Sequence, residues 1–300
     1  MRPSEIALST DATEAARLAD FRELLKPGIA AFVVVMAAAS YLLGADGAVD
    51  WTSLIGLMIG TGLTAGGAGA LNHVAERDFD RRMARTRYRP VATGRVSPTA
   101  ATLYGLAAAA SGAVILALTT NPLTTGLSIA TVALYVVVYT PLKRRTVHNT
   151  LVGAIPGALP ALGGVTAATG VLDATGLTLF AVLYLWQLPH FYALAWMLRD
   201  EYEAGGFQML PSKPRGARSI ARLSLIATML LLVAAMLPGA LGAAGMVYLI
   251  GAAILCLGFT IPAFSFNAAP TDDRARRLFL ASVIWVPGYF ALVVLDVLLR

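Results

Sequence analysis

The sequence is short of the side chains on which most soluble enzymes depend. A single cysteine, Cys256, excludes a disulfide framework and a cysteine-based zinc site. Three histidines leave little for a histidine-rich metal centre. Charge is scarce as well: Asp, Glu, Lys and Arg make up 13% of the 300 residues, against roughly 25% in an ordinary globular chain. With 57% of its residues hydrophobic, the chain lacks the polar coat that a soluble protein of this length needs. The first 27 residues carry charges of both signs and no apolar core, so they do not read as a secretory signal peptide.

What fills the sequence instead is apolar runs. Nine recur, at 28–44, 53–72, 98–118, 122–139, 150–169, 175–198, 219–237, 243–264 and 278–299. At 1.5 Å per helical residue each comes close to the length that crosses a ~30 Å hydrocarbon core. The pattern predicts an all-α integral membrane protein of nine transmembrane helices. The fifth run holds Pro156 and Pro160 and is expected to kink. Residues 1–27 form a separate N-terminal segment, and 28–300 a single domain. In the former, Arg17, Arg22 and Lys26 alternate with Leu18, Phe21, Leu24 and Leu25, which suggests an amphipathic helix on the membrane surface. Lys26-Pro27-Gly28 then turns the chain into the bilayer.

The formal charge of +6 raises the question of nucleic acid, but the basic residues are sorted by membrane side. With the N-terminus inside, the inside segments are 1–27, 73–97, 140–149, 199–218 and 265–277. Arg300 alone of the 23 lysines and arginines falls outside these segments and Arg222, just within the next span. This asymmetry places the N-terminus in the cytoplasm and the C-terminus outside. The expected location is the bacterial inner membrane, with the bilayer as partner, no nucleic acid, and the unusual chemistry on the cytoplasmic side. A transporter would more often carry polar groups at mid-membrane, and few are present.

Three cytoplasmic stretches carry that chemistry. At the end of the second span Asn72, Glu76 and Asp80 stand at i, i+4 and i+8. On a helix they share a face, with successive side chains ~6 Å apart along the axis. Three oxygen donors so arranged suit Mg²⁺, which keeps waters and bridges to phosphates. The same alternation of acids and arginines also describes a solvated helix end. Asp78 points to a different face and is expected to pair with a neighbouring arginine. The acids are expected to face a polar vestibule, so that losing their charge costs little stability. Beyond them come Arg85, Arg87, Arg89 and Arg95, and in the next loop Lys143, Arg144 and Arg145. Guanidinium forks suit a diphosphate, although such residues also simply mark the inner side. The third stretch runs from Trp186-Gln187-Leu188-Pro189-His190-Phe191 to Asp200-Glu201, a second acid pair after a helix. His190 lies eight residues inside its span, where a histidine faces a cavity or a partner. It could ligate iron, act as a base or hydrogen-bond a neighbouring helix. His73 and His148 lie near the interface.

These stretches resemble the UbiA-type intramembrane prenyltransferases. Asn72-x3-Glu76-x3-Asp80 followed by Arg85-Thr86-x-x-Arg89-Pro90 is similar to the family's first acidic motif. Tyr139-Thr-Pro-Leu-Lys-Arg-Arg-Thr146 with Asn149 nearby, Trp186-Gln-x-Pro-His-Phe-x-Ala-Leu-Ala-Trp196, and Asp200-Glu-Tyr-x-x-Gly-Gly-x-x-Met-Leu-Pro211 resemble the members that farnesylate haem. The likeness covers about residues 20–298. His73 and Glu76 depart from the wider family, which has Asp at those places. Asp200-Glu201-Tyr202 lacks the second motif's Asp-x3-Asp spacing. The resemblance implies nine helices around a central cavity, with two acidic motifs facing each other. It implies Mg²⁺ held by Asn72, Glu76, Asp80 and Asp200, with Glu201 assisting. Arg85, Arg89, Lys143 and Arg144 would bind the diphosphate of farnesyl diphosphate, and His190 would contact haem B, the acceptor. The product would be haem O, handed on to haem A synthase. The runner-up acceptor is an aromatic quinone precursor.

Overall fold

The computed structural model describes residues 17–210 and 216–300. Pro211 of the third motif, and Arg2, Lys213 and Arg215 of the basic residues on the inside segments, lie outside the described residues. Among the described residues nine helices are long and apolar enough to cross a membrane. They are α1 (Pro27–Ala45), α2 (Trp51–Asp80), α3 (Pro98–Thr119), α4 (Pro122–Leu142), α5 (Asn149–Thr169), α6 (Ala174–Met197), α7 (Gly216–Ala240), α8 (Met246–Ala268) and α9 (Asp272–Leu299). Residues 17–24 form a short helix ahead of α1, with Leu24 buried and Leu18 exposed.

The starts of these helices are written in the local sequence. Asp50, Ser97, Asn121 and Asp173 each accept a backbone N–H of the first turn of α2, α3, α4 and α6. Proline follows the cap directly in α3 and α4, where its missing N–H has no partner to lose. Inside the bilayer only such internally bonded segments are tolerated, since lipid offers backbone groups nothing.

Packing sets a centre and a rim. α5 and α2 are the most enclosed spans, and α4 and α3 the most outward-facing. A Cβ on Gly67 would stand 2.6 Å from the Gly105 carbonyl oxygen, and one on Gly112 would stand 2.6 Å from that of Gly60. α2 and α3 therefore meet backbone to backbone, the close approach that drives helix association in lipid. α1 packs against α2, α5 and α9, while α5 also touches α4 and α6, and α6 touches α7 and α9. A cavity lies among these helices. Leu183, Leu231, Phe259 and Trp285 belong to the core beside it, and Leu118, Ile261 and Ile284 face outward, where lipid suits them.

Three local features shape the cavity. α2 continues eight residues past the predicted end at 72. Its 30 residues span about 45 Å, so its last turns project beyond the hydrocarbon core. α4 carries a π-helical turn at Leu134–Tyr139 that the sequence does not announce. α5 runs as helix through both Pro156 and Pro160.

Candidate active site

A cavity of about 480 Å³ lies within the α1, α2, α4, α5 and α6 ring. At one end α2 presents Asn72, Glu76 and Asp80 on three successive turns, all lining it. Each is met by a cation from another segment. Lys26 Nζ donates to Asn72 Oδ1 at 2.6 Å, and Lys143 Nζ donates to Glu76 Oε1 at 2.8 Å. Arg89 Nη1 donates to both Asp80 carboxylate oxygens, at 2.8 and 2.9 Å. The sequence suggests a polar vestibule here. The structure instead buries the three side chains at 1%, 6% and 1% exposure, because three separate segments close over one helical face. Asp78 points elsewhere, exposed between Arg77 (3.3 Å) and Arg81 (3.5 Å).

The cations are held by the backbone around them. Lys26 caps α1 with φ at 48°, a left-handed conformation that non-glycine residues rarely adopt, with Pro27 fixing the next turn. Withdrawal of its ammonium from water lowers its pKa below the ordinary lysine value, and Arg89 and Lys143 push the same way. Lys143 follows the π-turn. Thr140 donates its hydroxyl to the Tyr135 carbonyl at 2.8 Å and accepts Asn72 Nδ2 at 3.1 Å, so α4 is registered against α2. Burial works against the Lys143 charge, but the Tyr139 oxygen, the Glu76 carboxylate and Tyr135 outweigh it and raise its pKa. The Lys143 ammonium also lies 4.7 Å from the centre of the Tyr139 ring. Arg89 is fixed at the end of a loop that Arg81 ties down by donating to the Ala92 carbonyl at 2.6 Å.

The other predicted site residues are divided. Arg85 lines the cavity, 3.7 Å from Glu201 Oε2 and stacked over Tyr202. Glu201 is partly buried in this pair. Asp200 lies apart, its side chain 90% exposed and 3.9 Å from Arg199. α6 ends at Met197, and a new helix of six residues, Arg199–Ala204, turns Asp200 away from the cavity. Arg144 is exposed and lies over the Phe79 ring, outside the cavity lining. The two acidic motifs are thus not brought together around one point, and among the described residues no three His, Cys, Asp or Glu side chains converge. The segment 205–209 contributes buried Phe207 and Met209 to the cavity lining. Gln208 N donates to the Lys143 carbonyl at 2.7 Å, and Asn149 Nδ2 donates to the Gln208 carbonyl at 2.7 Å.

The deeper wall is aromatic. Trp186, Gln187, His190 and Phe191 of α6 line it. His190 stacks on Trp186 with ring centres 5.2 Å apart, and its Nδ1 lies 2.8 Å from Ser282 Oγ on α9. Trp186 Nε1 donates to the Ser282 carbonyl at 2.9 Å. His73 is buried on α2 outside the cavity lining, and His148 is exposed before α5.

Lys26, Tyr139 and Ser282 are the residues that sequence reasoning left out of the site. Lys26 stands at the head of a span, where a lysine ordinarily snorkels to the interface. Ser282 is ordinary in sequence, and no spacing relates it to His190.

The oxygen donors of α2 have the chemistry of a Mg²⁺ site: two carboxylates and an amide, close to four cations that would accept a diphosphate. The UbiA prenyltransferase family matches residues 32–285. A protein called protoheme IX farnesyltransferase from Salinibacter ruber is 43% identical over 278 residues, covering 92% of this chain and 98% of its own. One of the same name from Solibacter usitatus is 39% identical, with the same coverage. The fold is shared with a digeranylgeranylglyceryl phosphate synthase structure (TM-score 0.80, 14% identity, 95% of this chain and 100% of that one). It is shared too with a UbiA homologue from Archaeoglobus fulgidus bound to GPP and Mg²⁺ (TM-score 0.64, 15% identity, 92% and 99%). The chain belongs to the UbiA prenyltransferase family and is a multi-pass membrane prenyltransferase.

Proposed function

We propose that the chain transfers a farnesyl group from farnesyl diphosphate to a vinyl group of haem B, with addition of water, giving haem O. One observation carries this reading. A single cavity joins a cationic end, where Lys26, Arg85, Arg89 and Lys143 surround Asn72, Glu76 and Asp80, to an aromatic wall that presents His190. The sequence motif around Trp186–Trp196 and the names of the relatives favour haem as acceptor.

The chemistry follows from the two ends. The four cations bind the diphosphate and stabilise the charge that it gains as the allylic C–O bond ionises. Asn72, Glu76 and Asp80 would hold Mg²⁺, with Asp200 and Glu201 able to contribute only after movement. Bound there, the ion supplies Lewis-acid stabilisation of the leaving diphosphate. The apolar walls keep water from the farnesyl cation until the vinyl carbon of haem B attacks it. The new cation lies next to the porphyrin, which delocalises it. Water adds there and loses a proton, leaving the hydroxyl group. His190 contacts the acceptor, its imidazole being a good ligand for haem iron.

Mass spectrometry of haems extracted from a host lacking haem O, after expression of this chain, tests the proposal. A farnesylated, hydrated haem B supports it. Prenylated 4-hydroxybenzoate from the same membranes, with no haem O, would replace it with the aromatic acceptor. The sorting of basic residues supports a cationic end on the cytoplasmic side of the inner membrane. Cys256 is buried, so a cysteine at exposed Arg145 is a clean probe. Labelling of Arg145→Cys in intact cells by an impermeant reagent would reverse that orientation. Haem A synthase, as the recipient of the product, belongs to the same proposal, tested by co-purification of the two proteins.

A further inference from the structure

The hydrogen bonds around His190 define more than its position. Ser282 is fully buried, and its hydroxyl has one hydrogen to give. That hydrogen goes to the Phe279 carbonyl, 2.5 Å away in the preceding turn of α9. Were it turned to His190 instead, two oxygens would face each other at 2.5 Å with no hydrogen between them. The remaining contact of the hydroxyl, to His190 Nδ1 at 2.8 Å, therefore needs its hydrogen from the imidazole. A neutral ring protonated at Nδ1 carries a lone pair at Nε2.

The same serine holds the ring's neighbour. Trp186 and His190 stand at i and i+4 on α6, stacked with their planes 27° apart, and both are tied to Ser282, one to its carbonyl and the other to its hydroxyl. Phe279, whose carbonyl takes the serine hydrogen, covers the ring at a centre distance of 4.9 Å. Turning the imidazole over would keep both ring contacts but put a carbon where Nδ1 meets the serine, losing that bond.

We propose that Ser282 is a positioning residue for the acceptor: it fixes His190 in the tautomer protonated at Nδ1 and directs the Nε2 lone pair into the cavity for the haem iron. The iron ligation rests on the acceptor reading above; the tautomer assignment does not. A histidine that ligates metal usually donates its other N–H to a partner, and loss of that partner weakens binding about 10–100-fold.

The chain has three histidines, so ¹⁵N-histidine labelling of the protein in lipid gives few signals, and His190→Gln identifies the one that matters. We expect His190 to be protonated at Nδ1 in the wild type. In Ser282→Ala the ring should shift toward protonation at Nε2, and haem B should bind about tenfold more weakly, with farnesyl diphosphate affinity unchanged. Ser282→Thr, which keeps the hydroxyl, should restore both, and Ser282→Cys, with a weaker hydrogen bond and little change of shape, should fall between. A wild-type ring protonated at Nε2 overturns the proposal. So does a Ser282→Ala protein that keeps both tautomer and haem affinity while His190→Gln loses haem. If His190→Gln binds haem B as the wild type does, the acceptor reading fails and the positioning role fails with it.

Discussion

The chain carries two acidic clusters, each at the end of a membrane helix, and the structure treats them differently. Glu76 and Asp80 are buried on an unbroken helix, Glu76 bonded to Lys143 from a distant segment and Asp80 to Arg89 from the loop that follows the helix. Asp200 and Glu201 follow a break in the chain after α6. Asp200 faces solvent beside its own neighbour, Arg199, and Glu201 makes a 3.7 Å pair with Arg85. In composition the two are alike. What separates them is whether the helix continues, because only a continuing helix keeps its acids on a face that other segments can cover.

The comparison implies that the first cluster dominates. Glu76→Gln and Asp80→Asn should each lower haem O formation about 100-fold or more, as loss of a preorganised electrostatic group at a reacting centre does. Burial adds a second effect. Either change strands a charge, on Lys143 or Arg89, and removing one partner of a buried pair destabilises by about 3–5 kcal/mol where nothing replaces it. The amide variants keep a hydrogen-bond acceptor, so they should fold but melt at lower temperature in detergent. A rate loss without any loss of thermal stability would show that the cations are solvated, contrary to the packing described here.

Next in size is Lys26, the cation that sequence reasoning assigned to the membrane surface. Lys26→Met removes one charged contact at the cavity's cationic end. A hydrogen bond to a charged group contributes about 1.5–3 kcal/mol, so KM for farnesyl diphosphate should rise about tenfold or more, while haem B affinity stays as it was. An unchanged KM would return Lys26 to a purely structural role on Asn72 and α1.

The pattern of what was legible follows from the same physics. Nine spans can be read because length and apolar content are summed over ~20 residues. The Asn72–Glu76–Asp80 face can be read because a helix repeats every 3.6 residues, so local spacing decides which side chains align. The partners of that face cannot, since Lys26 and Lys143 arrive from 46 and 67 residues away. The π-turn before Thr140 is a matter of how α4 packs on α2, which no propensity encodes. Asp200 misleads for a related reason: its placement depends on where α6 stops, and helix ends are the least certain feature of any helix.

Glu201 tests the second cluster. Its side chain and that of Arg85 are 34% and 39% exposed and their contact, at 3.7 Å, is longer than a hydrogen bond, although the Glu201 oxygen that faces Arg85 is itself buried. Glu201→Gln should change turnover only a few-fold through Arg85, and Asp200→Asn less. A loss with Asp200→Asn as deep as that with Asp80→Asn would mean that the segment after α6 swings inward when substrate binds, bringing the two clusters together.

The smallest effect should come from Asp78, and it bears directly on the helical-face argument. Asp78 lies between Glu76 and Asp80 in sequence and carries the same charge, so it is the closest internal control. Its side chain is 56% exposed and sits between Arg77 and Arg81, themselves 42% and 54% exposed. Exposed pairs of this kind contribute little, and substitutions away from buried features usually stay within about 0.5 kcal/mol. Asp78→Asn should therefore keep wild-type stability and turn over within about twofold of the wild type, since 0.5 kcal/mol is about that factor. Farnesyl diphosphate affinity should not move, because neither the Asp78 side chain nor its two arginines line the cavity. The measurement is a side-by-side rate for Asp78→Asn and Asp80→Asn in the same membranes. An inactive Asp78→Asn beside an active Asp80→Asn would place the reacting diphosphate on the opposite face of α2, where the structure puts solvent.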